Sequence, residues 1–265
     1  MTVYSPLMTV MLKAARKATK GLIRDFGELE NLQVSRKGTK DFVTAADLKA
    51  EKILIEELKK ARPKFSFLTE ETGEIQGDDE THRWIIDPLD GTINFLHGNP
   101  TFCTTIALER TNPNGTKEII AAVTESPILR ETYWAEKGMG AWVEGDSGSS
   151  RRLRVAARKN FNDSLFCLGS LNSDIPTAGL LAPLASGVRV IGSTALALAY
   201  TAAGSFDGFM QGKTNYWDIA AGILFIKEAG GLISNYKDKQ DFSGSNGVMA
   251  ANDLMHANML KELKK

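Results

Sequence analysis

The run Trp84-Ile85-Ile86-Asp87-Pro88-Leu89-Asp90-Gly91-Thr92-Ile93-Asn94 constrains this chain more than any other stretch. A β-branched apolar segment drives into two carboxylates three positions apart, then into glycine and threonine. Read as a strand over Trp84–Asp87 that passes into a tight loop, it delivers Asp87 and Asp90 to the strand's carboxyl end, where α/β proteins bind ligands. Carboxylates that close repel unless they share a proton or a cation. Hard divalent cations such as Mg²⁺ take oxygen ligands and leave positions for water or phosphate oxygens. The run therefore predicts a metal site first and a phosphate site second.

Composition narrows the setting. A chain of 265 residues suits one large domain or two tightly packed ones. Lys plus Arg and Asp plus Glu both number 32, so the formal charge is zero. Such a balance offers no bulk attraction to nucleic acid or acidic membranes, and nucleic acid is not expected as a partner. No apolar run reaches membrane-spanning length. Cys103 and Cys167 lie in apolar runs without CxxC spacing and read as buried thiols in a reducing, cytoplasmic setting. His82, His97 and His256 are too scattered for a histidine-based zinc site, so any metal here takes carboxylates. The basic stretch from Met1 to Arg24 imitates a transit peptide. Leu7, Val10, Met11, Ala14, Ala18 and Leu22 recur at helical spacing, however, and predict a first amphipathic helix.

Along the chain, Thr44-Ala-Ala-Asp47 reads as a capping box opening a helix with Ala46, Leu48, Ile53, Leu54 and Leu58 as its apolar face. Phe65–Thr69 is a short strand that ends at Glu70-Glu71. Strands are expected at Phe102–Leu108, Ile119–Thr124, Thr132–Ala135, Ala141–Val143 and Leu153–Val155, then at Ser164–Leu168, Val188–Ile191 and Phe206–Met210. Helices are expected over Thr194–Ala203 and from Trp217 to Glu228, and Asn252 caps a last one. This is a layered α/β chain with a large antiparallel portion. It is treated as one catalytic unit over residues 1–265, with a soft internal boundary near 145–185.

Glu70, Asp87, Asp90 and Asp218 share a local grammar, each at the end of a strand or in the first turn of a helix. Converging in one cleft with the Leu89 carbonyl, they would suit two or three Mg²⁺ ions, the arrangement that clamps both oxygens of a phosphoryl transfer. Gly91 allows close backbone approach to an anion, and the free amides of the turn after it suit a phosphate. A Thr92 hydroxyl linked to Asp47 would orient and deprotonate a water. Gly192, Ser193 and Thr194 form a second strand-to-helix opening, a wall for the rest of a substrate.

Asp87-Pro-Leu-Asp-Gly-Thr92, Leu68-Thr-Glu-Glu-Thr-Gly73 and Trp217-Asp-Ile-Ala-Ala-Gly222, with Asp41-Phe-Val-Thr-Ala-Ala-Asp47 upstream, resemble the signature blocks of the inositol monophosphatase family. Their order and spacing hold over nearly the whole chain. The resemblance implies an αβαβα layered fold, Mg²⁺ dependence, lithium inhibition and a homodimer. It implies Glu70, Asp87, Leu89, Asp90 and Asp218 as metal ligands and Asp47, Glu70 and Thr92 as catalytic groups. Asp90, Gly91, Thr92, Gly192, Ser193, Thr194, Gln211 and Asp218 would face the substrate, a small phosphate ester such as inositol 1-phosphate. Lys37-Gly-Thr-Lys-Asp41 falls where the family has a mobile loop.

One departure bears on the substrate. Gln211 stands seven residues before Asp218, where inositol-cleaving members carry Glu, and Lys213 follows two residues on. Gln donates as well as accepts but has no charge. Thr194 likewise replaces a small apolar residue. Histidinol phosphate, fructose 1,6-bisphosphate and 3′-phosphoadenosine 5′-phosphate stand as alternatives with the same metals. A regulatory protein that binds a macromolecular partner is the alternative from another class.

Overall fold

A computed structural model describes residues 4–28, 34–37, 41–242 and 247–264. The first helix, α1 (Pro6–Gly27), starts where the sequence provides a cap: Ser5 Oγ accepts the Met8 amide at 3.0 Å, and Pro6 occupies the first turn. A short hairpin, β1 (Val34–Lys37) and β2 (Asp41–Thr44), leads into α2 (Ala45–Ala61). Residues 38–40 of the expected mobile loop, and the Thr44 side chain of the expected capping box, lie outside the described residues.

Next come β3 (Phe65–Thr69), β4 (Gly73–Ile75), β5 (Asp79–Asp90) and α3 (Thr92–Leu96). Strands β6 (Cys103–Thr111), β7 (Lys117–Ser126), β8 (Glu131–Glu136), β9 (Ala141–Glu144) and β10 (Ser150–Arg152) follow. They complete an eight-stranded sheet in the order β10-β9-β8-β7-β6-β5-β3-β4. All its pairs are antiparallel except β3 with β5.

The chain then forms β11 (Leu165–Leu168), α4 (Leu171–Leu181), β12 (Gly187–Val190), α5 (Thr194–Ala202), β13 (Gly208–Gln211), α6 (Tyr216–Glu228), β14 (Leu232–Ser234), β15 (Val248–Ala251) and α7 (Asp253–Leu263). These strands make a mixed five-stranded sheet in the order β12-β11-β13-β15-β14.

Strand alternation sorts side chains into layers. On β5, Trp84 and Ile86 pack against Met8, Met11, Leu54 and Leu58 of α1 and α2. Ile85 points the other way, into the core shared with Ala195–Ala199 of α5 and Ile219–Ile226 of α6. Phe209 and Ala250 of the smaller sheet reach that same core from the opposite side. Met210, Met249 and Ala251 face outward onto Leu181 of α4 and Met255 and Met259 of α7. The result is the expected αβαβα sandwich, with α5 and α6 as the middle layer. The larger sheet ends at Arg152 and the smaller begins at Leu165.

Three local expectations are corrected. Leu153–Val155 is not a strand: β10 ends at Arg152, and the Leu153 amide bonds the Ala141 carbonyl at 2.7 Å while its buried side chain gives the apolar signal. The β5 strand runs past Asp87 to Asp90. Leu48 is 48% exposed, and the inner face of α2 carries Asp47, Ala50, Glu51, Leu54 and Leu58 instead. Those positions follow the i, i+3, i+4, i+7 stripe. Helix α4 went unread because Pro176, inside it, removes a backbone donor.

Candidate metal centre

The parallel pairing of β3 with β5 builds the site. Thr69 lies opposite Ile86, so the next residues, Glu70 and Asp87, emerge side by side at the carboxyl ends of neighbouring strands. The Glu70 amide bonds the Ile86 carbonyl at 3.2 Å and continues the ladder by one step. Asp87 is then separated from Asp90 by a bulge: Asp87 pairs with Thr105 and Asp90 with Cys103, three steps against two. A bulge re-aims side chains and tolerates Pro88, which has no ladder donor. Leu89 donates its amide to Asp87 Oδ1 at 2.9 Å, and Thr104 Oγ1 secures the Pro88 carbonyl at 2.7 Å.

Asp218 arrives from the middle layer as the third residue of α6. Its Oδ2 accepts the Asn215 amide at 3.1 Å and Thr214 Oγ1 at 3.0 Å. Asp90 points across to α5. It accepts Ser193 Oγ at 2.5 Å, the Ala195 amide at 2.7 Å and the Thr194 amide at 3.3 Å. A carboxylate on the first amides of a helix meets the positive end of its dipole.

The acids act on one another. Burial first, then the charges of Glu70, Asp90, Asp218 and Asp47, hold Asp87 well above the usual carboxylate range. Burial, with the charges of Asp90, Glu71 and Glu51 and against a hydrogen bond with Asp87, pushes Glu70 up to about 7. Burial, with the charges of Asp90 and Glu70, pushes Asp218 up to about 8. Asp90 is raised chiefly by burial, opposed by its helix and Ser193 donors. Glu70, Asp90 and Asp218 keep some surface open, whereas Asp87 is 1% exposed.

The donor set fits a hard cation. It is oxygen only, it is negatively charged, and among the described residues none of the four acids is ion-paired to Lys, Arg or His. Equally, among the described residues no three such side chains stand as a finished coordination shell. Asp87, Asp90 and Asp218 accept protein donors instead, while the oxygen-only chemistry of the four acids and their mutual repulsion favour a cation.

Gly91 closes the turn into α3 with φ of 95°, and a Cβ there would lie 3.0 Å from the Thr101 carbonyl oxygen. Thr92 donates its hydroxyl to the Leu89 carbonyl at 3.0 Å, not to Asp47 as expected. A cavity of about 410 Å³ opens beside this turn, lined by Gly91, Thr92, Asn94, Gly192, Thr194 and Gln211. Gln211 is 6% exposed, not a surface-loop residue. Its Oε1 accepts Thr194 Oγ1 and its Nε2 donates to the Lys213 carbonyl, each at 2.9 Å. The two departures noted in the sequence are thus partners. Lys213 supplies only that carbonyl, and its side chain is exposed.

A family model described as the inositol monophosphatase family matches residues 3–265. The chain belongs to that family. It is therefore a phosphoric monoester hydrolase by class. An inositol-1-monophosphatase from Mesorhizobium japonicum is 46% identical over 98% of this chain and 97% of its own. A protein named Nus factor SuhB from Escherichia coli is 34% identical, covering 97% of both. Among solved structures, the extragenic suppressor protein suhB from Bartonella henselae superposes with a TM-score of 0.91 at 44% identity, over 98% of this chain and 99% of that one. This family member carries residues near its acids that sequence reasoning missed. Glu51 was hidden because a carboxylate breaks an apolar stripe. Cys103, 3.9 Å from Asp90 Oδ2, read as plain core. Asn94, whose Nδ2 bonds the Thr101 and Ile191 carbonyls at 2.7 and 2.8 Å, gave no signal beyond its place after the turn.

Another cavity, about 960 Å³, lies between Arg83, Glu109, Lys117, Tyr216 and Trp217. Its buried acid, Glu109, is already satisfied by Arg83 at 2.9 Å and by the Tyr216 hydroxyl at 2.7 Å.

Proposed function

We propose that this chain is a cytoplasmic, Mg²⁺-dependent phosphomonoesterase that hydrolyses a small polyol phosphate, with inositol 1-phosphate first among the candidates. The observation that carries the reading is the meeting of Glu70, Asp87 and Asp90 at the ends of β3 and β5 with Asp218 at the start of α6, beside the Gly91–Thr92 turn. Glu70, Asp87, the Leu89 carbonyl, Asp90 and Asp218 would hold two or three ions. Bound there, Mg²⁺ neutralises phosphate charge and acidifies water.

The chain's own groups do the rest. The amides opening α3 receive phosphate oxygens. Thr92, its proton committed to the Leu89 carbonyl, offers oxygen lone pairs to an incoming water. Asp47, 1% exposed on the inner face of α2, accepts that water's proton. Gly192, Ser193, Thr194 and Gln211 face the alcohol. A homodimer and lithium inhibition belong to the same reading.

The test is phosphate release from inositol 1-phosphate with and without Mg²⁺, for the wild type and Asp87→Asn. The expected loss in the variant is about 10²–10³-fold, the scale of removing one preorganised electrostatic group from an enzyme's transition state. Metal-independent release, or full activity in Asp87→Asn, overturns the proposal.

The relatives named Nus factor SuhB favour a second reading, engagement of a macromolecular partner. A partner co-purifying stably, together with no turnover on any ester tested, would favour it over the first.

A further inference from the structure

Glu51 is a carboxylate 2% exposed, one helical turn beyond Asp47 on the inner face of α2. Its Oε2 accepts the Glu71 amide at 2.9 Å, and its Oε1 accepts the Thr72 hydroxyl in a short hydrogen bond. Among the described residues, no Lys, Arg or His pairs with it. A buried carboxylate must be matched by hydrogen-bond donors, and here both of these donors come from the single turn that follows Glu70. The placement is what links it to the cleft. The amide that Glu51 holds belongs to the residue next to Glu70, and the helix that carries Glu51 also carries Asp47.

We infer that Glu51 is a positioning residue: its carboxylate clamps the Glu71-Thr72 backbone to α2 and so sets where Glu70 stands relative to Asp47. The inference rests on the metal reading above. Among the described residues Glu51 makes no hydrogen bond to the four cleft acids, so it acts through the turn it holds. It acts as outer partners of metal ligands do, by fixing a ligand's segment, and loss of such partners weakens metal binding about 10–100-fold.

The experiment measures Mn²⁺ binding directly, by loss of the free-ion electron paramagnetic resonance signal. It also measures kcat against Mg²⁺ concentration, for the wild type, Glu51→Ala, Glu51→Gln and Thr72→Val. Glu51→Ala should bind Mn²⁺ about 10–100-fold more weakly and need correspondingly more Mg²⁺, with kcat largely restored at saturation. Glu51→Gln can still accept the Glu71 amide and donate to the Thr72 oxygen, and should recover most of the affinity. Thr72→Val removes one arm and should fall between; it carries the test if Glu51→Ala does not fold. Wild-type affinity in Glu51→Ala or, where that variant does not fold, in Thr72→Val overturns the inference. So does a folded Glu51→Gln as weak as Glu51→Ala. A wild type that binds no Mn²⁺ and releases no phosphate instead overturns the metal reading, and the role of Glu51 with it.

Discussion

Ser193 donates its hydroxyl to Asp90 Oδ2 at 2.5 Å, across 103 residues of chain and from one sheet's half of the molecule to the other. The same oxygen of Ser193 accepts the Leu196 amide at 3.3 Å, so one side chain caps α5 and orients a cleft acid. Ser193→Ala should lose about 1 kcal/mol of stability, as other N-cap deletions do, seen as a lowered urea midpoint in EDTA. Its Mg²⁺ requirement should also rise about 10–100-fold. A stability loss with unchanged metal dependence would reduce Ser193 to a helix cap.

The raised acids give metal-free protein a defined pH response. Glu70 moves from 4.5 to about 7 and Asp218 from 3.8 to about 8. Protonated forms are favoured in the folded state, so their contribution is complete below about pH 4 and is lost as pH climbs through about 7 and then about 8. The melting temperature in EDTA should therefore fall between about pH 5 and pH 8. Asp218→Asn should flatten that fall, and saturating Mg²⁺ should abolish it. A flat profile in the EDTA-treated wild type contradicts the mutual loading.

Gly91→Ala places a side chain at φ of 95° and a Cβ 3.0 Å from the Thr101 carbonyl oxygen. The strain should cost about 1–3 kcal/mol in chemical denaturation. Shifting the turn by a fraction of an ångström or more should lower kcat/KM by about 10²-fold. Unchanged kinetics would mean that the turn does not meet the phosphate.

Gln211→Glu replaces a donor facing the Lys213 carbonyl with an acceptor. An unmatched buried group should cost about 1–3 kcal/mol. In a substrate panel the variant should gain on inositol 1-phosphate relative to fructose 1,6-bisphosphate, since a new carboxylate attracts hydroxyls and repels a second phosphate. Gly169→Ala offers an independent check. Its Cβ would fall 1.9 Å from Gln211 Oε1, so it must displace the same amide and shift the same panel. No shift in either variant would remove Gln211 from the substrate wall.

Much of this was legible in the residues alone. Apolar, β-branched runs around Ile85 and Ile106 marked strands of the sheet, and the Thr194–Ala203 and Trp217–Glu228 segments marked the two helices that become the middle layer. The acids Glu70, Asp87, Asp90 and Asp218 stood out because three follow apolar strands and the fourth lies in the first turn of an apolar helix, places where strand and helix ends gather. The hidden parts were those in which polar residues occupy apolar positions. Asp47 and Glu51 take inward places on α2 while Leu48 faces out, an inversion that hydropathy cannot report. The Thr194–Gln211 pair depends on β13 ending beside α5, a tertiary fact without local signature.

The middle layer mixes large apolar side chains with a run of small ones. Ala195, Ala197, Ala199, Ala220 and Ala221 are buried there, and a Cβ on Gly222 would come within 2.5 Å of Leu198. Where α5 meets α6, the fit therefore leaves no room for a side chain at Gly222. An enlargement at Gly222 must push α5 away from α6 and with it the end of α5 that holds Asp90. Lesions deep in the alanine seam, touching no ligand, should mimic loss of the ligands themselves.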